Sequence, residues 1–291
     1  MDEAVNKGFL HENFRLFHLK DQRAPAVEPH YHEFDKLVVL LAGAVDYTVE
    51  GFLYRMRPGD VLFVRHHDIH CPAISPDSVY ERVILWIAPP FLEKRRDGPE
   101  EPSLETCFDL SSARRACLYR PDAEEFARLK RLLWDLEAAS GGSETAFGAG
   151  LLEDALFTCL FVALNRMALR APGEQPRQTD ARISEALRYI HAHLAGPLSV
   201  DRLAASCYLS RYYFMRRFKE ATGCTVHGYI LQKRMTAAAL RLDGGAGVEE
   251  TARAVGFAEY TAFLRAFRKS FGMTPSEYRR RDRGLEGSYF E

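Results

Sequence analysis

The chain has 291 residues, 47% hydrophobic and 27% charged, with a formal net charge of −1 at pH 7, which fits two globular domains and excludes disordered and collagen-like classes. Cys71, Cys107, Cys117, Cys159, Cys207 and Cys224 form no CxxC pair, so reduced thiols are expected rather than a zinc knuckle or a disulfide framework. The opening MDEAVNKGFL has no basic stretch with an apolar run behind it, and the longest apolar run, residues 155–164, is far shorter than the ~20 residues of a membrane helix. No membrane partner and a cytoplasmic location are therefore expected.

In chain order, residues 14–20, 37–41, 45–49, 52–56, 61–64 and 79–87 read as strands. Each is short, rich in β-branched and aromatic residues, and bounded by Gly, Pro or Asp. Strands at this spacing with no long helix between them predict an antiparallel sandwich or barrel. Pro58-Gly59-Asp60 makes a sharp turn into a strand expected to end near His70.

The series Pro29-His30-Tyr31-His32, Gly43, Gly51, Arg57-Pro58-Gly59-Asp60 and His70 resembles a cupin jelly roll. In cupin enzymes the corresponding histidines, with a glutamate, hold a metal. Here His30, His32 and His70 match, but Lys36 stands at the glutamate position, and a cation there opposes a second cation. The expectation is a small-molecule pocket without metal or cofactor, lined by His30, His32, Lys36, Tyr47 and His70. A three-histidine metal site with an open position, assisted by His66, His67, Asp68 or Cys71, is the alternative. Alternation along a strand does not say which side faces inward.

Residues 89–109 are irregular, and the charged run 93–97 reads as a solvated loop. From Asp122, the spacing Phe126, Leu129, Leu132, Leu133, Leu136 predicts a helix ending at Gly141-Gly142. A second helix is predicted from Ser143 to about Arg170. Residues 171–180 hold Pro172, Gly173 and Pro176 and read as a linker, with Asp180 capping the helix after it. Ile183, Leu187, Ile190 and Leu194 then form a helical stripe stopped by Gly196-Pro197.

Residues 181–283 carry 18 Lys+Arg against 9 Asp+Glu, whereas residues 1–180 carry 21 against 29. A basic half of this kind suits a polyanion, because phosphate-neutralising cations release counterions. Within it a pattern repeats. A shift of 49 lays Phe214 on Phe263, Arg216 on Arg265, Phe218 on Phe267, Lys219 on Arg268, Gly223 on Gly272, Thr225 on Thr274 and Tyr229 on Tyr278. Upstream, Leu203-Ala204 meets Thr251-Ala252 at a shift of 48, so the second copy has one extra residue in its turn. Phe214 and Phe218 share one helical face and pack inward, which leaves Arg211, Tyr212, Met215, Arg216 and Lys219 outward. A helix built this way fits the DNA major groove. An ordinary amphipathic helix explains one copy as well, but not two in register. Residues 226–242 read as one helix joining the copies and fixing the spacing of their reading helices, and residues 284–291 as a frayed tail.

The segments LAASCYLSRYYFMRRFKEATG and TARAVGFAEYTAFLRAFRKSFGMTPSEYRR, with Gly256-Phe257 and Gly272, Thr274-Pro275 and Tyr278-Arg279, resemble the two helix-turn-helix units of the AraC/XylS family of bacterial transcription regulators. The resemblance places base-reading residues at Tyr212, Met215 and Arg216 and at Tyr260, Thr261, Leu264 and Arg265, and Arg268 takes the position of Lys219. It implies double-stranded operator DNA and a small-molecule effector, with sugars the family habit, as partners. It implies also a homodimer joined through the helical pair and, for an activator, RNA polymerase. Arg217 and Thr251 depart from the family's apolar positions.

The expected architecture is α+β and multidomain: a cupin-like β-barrel at 1–110, a helical pair at 111–170, a linker at 171–180 and an all-α DNA-binding domain at 181–283. No nucleophile with its base, phosphate loop or dinucleotide fingerprint occurs, so an enzyme is not expected. A metal-dependent cupin enzyme or a metal sensor fused to a DNA reader is the runner-up.

Overall fold

The computed structural model describes residues 10, 12–22, 27, 29–74, 79–96, 98, 101–141, 146–176 and 181–281. The expected cap Asp180 and the tail 284–291 lie outside the described residues. The chain divides into two compact units, Met1–Gln178 and Thr179–Glu291, the first rich in strands and the second helical. Among the described residues no helix is long and apolar enough to cross a membrane.

The strands of the first unit are β1 (Phe14–Asp21), β2 (Asp35–Ala42), β3 (Val45–Val49), β4 (Phe52–Met56), β5 (Val61–Val64), β6 (His70–Ile74), β7 (Tyr80–Ile87) and β8 (Leu118–Tyr119). They form two antiparallel sheets, ordered β1-β7-β2-β5-β8 and β4-β3-β6. Glu50 and Gly51 join β3 to β4 with φ of 51° and 78°, the left-handed pair that a two-residue hairpin needs to match strand twist. Strand β2 is buried from Asp35 to Leu40 because both its faces are covered. Leu37 and Val39 pack with Phe108, Leu133, Phe157 and Phe161 of the helices, while Val38 and Leu40 pack with Val45, Tyr47 and Met56 of the smaller sheet. By the two-residue period, Lys36 belongs with Val38 and faces the space between the sheets.

Two features of this unit differ from the sequence reading. The turn at Pro58-Gly59-Asp60 leads into β5, which stops at Val64, so His70 opens the next strand rather than ending this one. Pro72 hides that strand in the sequence, since proline removes a ladder donor, and β6 tolerates it at the edge of its sheet. Residues read as irregular also contain α1 (Pro89–Glu93) and α2 (Thr106–Arg114). Helix α2 has little amphipathic patterning to betray it and is anchored by Asn165, whose Oδ1 accepts from the Cys107 N–H at 2.8 Å. The predicted helical pair is α3 (Ala123–Ser140) and α4 (Ala149–Arg170). Asp122 and Glu125 form a reciprocal capping box at the start of α3.

The second unit runs α5 (Ala181–Ala192), α6 (Val200–Ser206), α7 (Arg211–Thr222), α8 (Val226–Asp243), α9 (Val248–Ala254), α10 (Tyr260–Phe271) and α11 (Pro275–Arg281). The repeat in the sequence becomes a repeat in packing. Phe218 meets Tyr229 edge to face at 5.5 Å and 82°, and Phe267 meets Tyr278 at 5.3 Å and 86°. Helix α8 serves both cores, with Val226, Tyr229 and Ile230 buried near its start and Met235, Ala238, Ala239 and Leu242 packed with Phe263 and Phe267. The turn 255–259 between α9 and α10 is one residue longer than the turn 207–210 between α6 and α7, as the change of shift requires.

Candidate functional site

Each helix-turn-helix unit is assembled from local signals. Ser199 and Ser210 cap α6 and α7 by accepting from Arg202 N and Tyr213 N, and Gly223 and Gly272 end α7 and α10 in the left-handed conformation. Phe214 and Phe218, and likewise Phe263 and Phe267, are 0% exposed, so the opposite faces of α7 and α10 are turned to solvent. On α7 the sequence-singled residues Arg211, Tyr212, Met215, Arg216 and Lys219 are all exposed. On α10 Tyr260, Thr261, Arg265 and Arg268 are exposed and Leu264 is half-buried against the core.

The basic residues differ in how they are held. Arg211 pairs with Asp201 at 2.9 Å, and Arg216 lies 3.6 Å from Glu220 and over the Tyr213 ring at 5.3 Å. Arg217, at a position that is apolar in the family the sequence resembles, is half-buried and reaches Glu220 at 3.1 Å. Arg265 has Thr261, Ala262, Arg268 and Lys269 as its helical neighbours, none of them acidic. One residue absent from the sequence reading ties the unit together. From α8, the Arg234 guanidinium donates to the carbonyls of Leu194 (3.1 Å) and Gly196 (2.8 Å), and it lies 5.8 Å from the Phe257 ring of the second turn. Burial lowers its pKa. No periodicity flags such a residue, because its partners are backbone carbonyls 38 and 40 positions away.

The first unit brings the five expected ligand residues to one place. His30 and His70 face each other across a two-bond backbone bridge (3.1 and 2.9 Å), and the ring centroids of His30, His32 and His70 are 4.5–5.1 Å apart. One ring nitrogen from each lies within 4.8 Å of the others. Tyr47 stacks on His70 at 6.1 Å, and Lys36 Nζ lies 5.8 Å from the Tyr47 ring. His32, Lys36, Tyr47 and His70 are all buried. Phe34 stacks on His32 at 4.4 Å and Trp86 lies 5.9 Å from it, two neighbours the sequence did not signal.

The cluster is held in the neutral form. Burial, then the charges of Lys36 and His30, lowers the pKa of His32 to about 2. Burial, then Lys36, His32 and His30, keeps His70 well below its ordinary value. His70 Nδ1 lies 2.9 Å from the Asp68 carbonyl oxygen, which can only accept. That nitrogen therefore carries the proton and Nε2 the lone pair. Of the assisting residues considered from sequence, His66 is engaged elsewhere: Asp35, 0% exposed, accepts from His66 N and Nδ1 (both 2.8 Å) and from Arg65. The Cys71 thiol donates to the Val27 carbonyl at 3.0 Å.

Comparison with known proteins supplies relatives for both units. Residues 203–281 match the family model "Helix-turn-helix domain". The chain is 27% identical over 265 residues to the HTH-type transcriptional activator RhaS of Escherichia fergusonii, covering 90% of this chain and 91% of that protein. It is 24% identical over 278 residues to the HTH-type transcriptional activator RhaR of Escherichia coli O139:H28, covering 90% and 94%. Regulatory protein PocR of Salmonella typhimurium is 31% identical over 147 residues, covering 47% of this chain and 48% of that protein.

Proposed function

We propose that this DNA-binding transcription regulator of the AraC/XylS type, with that family's helix-turn-helix domain and homology to its activators over most of the length, is an activator switched by a ligand of the first unit. Helices α7 and α10 enter successive major-groove segments on one face of an operator. Tyr212, Met215 and Arg216, with Tyr260, Thr261, Leu264 and Arg265, reach base edges, and Arg211, Lys219 and Arg268 reach phosphates. One rigid α8 between the cores sets the spacing of the two readers, about one turn of duplex or ~34 Å.

The observation that carries this reading is the duplicated helix pair: two buried phenylalanines beneath an exposed basic face, repeated in register, with Phe218–Tyr229 and Phe267–Tyr278 packed alike. One basic amphipathic helix is commonplace. A pair with a shared strut is a two-site reader.

The effector half rests on the gathered His30, His32, Lys36, Tyr47 and His70. A ligand there changes transcription only by its differential affinity for the DNA-competent and incompetent states. Homodimerisation through α3 and α4 and contact of the bound dimer with RNA polymerase complete the proposal, in the cytoplasm. Selection of bound sequences from random duplex DNA with the full chain, at near-physiological salt, tests it. The expected result is a motif in two blocks about one helical turn apart. Weak, salt-sensitive binding without a motif would refute the reader.

A further inference from the structure

We propose that His30, His32 and His70 form a three-histidine site for a divalent transition-metal ion of the zinc class, with a coordination position left open toward the space between the sheets. The proposal deepens the effector half of the proposed function by naming the ligand class of that site.

Three observations lead there. The three ring nitrogens lie within 4.8 Å of one another, a spread that one ion can span with bonds of about 2.0–2.1 Å. His32 is 4% exposed, yet among the described residues neither of its ring nitrogens has a hydrogen-bond partner; His70 is 1% exposed and its Nε2 has none among them. Buried polar atoms are rarely left so, and these are all imidazole nitrogens, the donor type that a transition-metal ion takes. Finally, His70 Nδ1–H is fixed on the Asp68 carbonyl, the outer contact that sets the tautomer and aims the other nitrogen of a metal-binding histidine. The backbone bridge between His30 and His70, and the His67 N–H donated to the His32 carbonyl at 2.7 Å, hold the ligands' main chain before any ion arrives.

A plain aromatic cluster accounts for the stacking of His32 on Phe34 but leaves the unpartnered nitrogens of His32 and His70 unexplained. Imidazole donors without thiolate or carboxylate suit zinc, copper, nickel or iron and disfavour magnesium and calcium. Lys36 is the opposing feature. Its charge acts on both His32 and His70, so it weakens a cation's affinity while favouring an anion, such as hydroxide or a carboxylate, on the open position. The site is therefore expected to bind more weakly than one with a fourth protein ligand.

The test uses the untagged full-length chain, stripped with a chelator and dialysed against Zn²⁺, with Co²⁺ as an optical probe. Expected are one zinc per chain by elemental analysis and a visible Co²⁺ band of a low-coordinate site. Both should be lost, with affinity reduced at least tenfold, in His70→Phe and in His32→Phe, whose far-ultraviolet dichroism verifies the fold. Lys36→Met removes the ammonium without adding a ligand and should tighten Zn²⁺ binding severalfold. Substoichiometric zinc in the wild type, equal zinc in the histidine variants, or unchanged affinity in Lys36→Met would each overturn the site. Stoichiometric zinc in a chain that selects no DNA motif would instead overturn the regulator reading and leave the metal site standing.

Discussion

Arginines at matching positions of the two reading helices are not equivalent. Arg216 has Glu220 one turn on and Tyr213 beneath it, whereas Arg265 has no acidic neighbour on its helix, so in the proposed reader Arg265 is the better placed to give both N–H groups to a guanine. Arg265→Ala is expected to cost about 1–3 kcal/mol at the selected operator and to relax preference at one base pair. Lys219→Ala should weaken binding to all sequences alike and flatten the dependence of log K on log salt. Competition binding to operator and random duplex across a salt series distinguishes the two effects. A buried residue gives a second prediction. Thr251 stands where the family keeps an apolar side chain, is 0% exposed, and its hydroxyl has no partner among the described residues. Thr251→Val keeps the shape and removes the unmet desolvation cost, so stability should rise by about 1–2 kcal/mol. A denaturation midpoint equal to or below that of the wild type would refute this.

Position along an element decides what a turn tolerates. Tyr208 in the first helix-turn-helix turn and Gly256 in the second are equivalent, and both have positive φ, 54° and 87°. Tyr208 is 94% exposed and its side chain has room. At Gly256 a Cβ would lie 2.7 Å from the Ala195 carbonyl oxygen and 2.9 Å from the Arg234 guanidinium. The second turn thus lies against the strut, through Arg234, at the point where the first presents an exposed side chain. Gly256→Ala is therefore expected to destabilise the second unit by more than about 2 kcal/mol, through left-handed strain plus the clash. Tyr208→Ala should lie within about 0.5 kcal/mol of the wild type. Urea midpoints of the two variants, followed by helical dichroism, check the contrast. The same strut carries Arg234, so the region between the two reading helices is held by hydrogen bonds as well as by apolar packing.

Over the whole molecule, charge is divided between the units. The basic excess lies within residues 181–283, and large exposed apolar residues of the other unit are concentrated on α4 and just before it: Phe147, Leu151, Leu152 and Leu169. Leu151 and Leu169 are eighteen residues apart, five full turns, and so lie on one side of the helix. A face of that kind suits a second copy, since an isologous contact uses the same patch twice. Leu151→Asp is expected to shift the chain toward monomer in sedimentation and to lower affinity for a double operator tenfold or more, with affinity for a single operator unchanged. A dimer undiminished in the variant would place the contact elsewhere.

The two-domain α+β organisation and the paired helix-turn-helix units were legible in the sequence alone. Their signals are local: caps such as Ser210, left-handed glycines such as Gly223 and Gly272, and phenylalanines four apart do not depend on distant residues. The helix α3 was equally plain, from the Asp122 cap to Gly141. Hidden from it were β6, whose Pro72 contradicts a strand until its edge position is known, and α2, held by Asn165 from another helix. Which side of β2 faces the smaller sheet was also undetermined, because a strand buried on both faces loses its alternation. Only the tertiary structure turned Lys36 inward beside Tyr47 and set His30, His32 and His70 with their ring nitrogens together. The sequence supplied those histidines; strand pairing across residues 30 and 70 brought them within reach of one ion, because a contact that distant in the chain is fixed by sheet register and not by spacing.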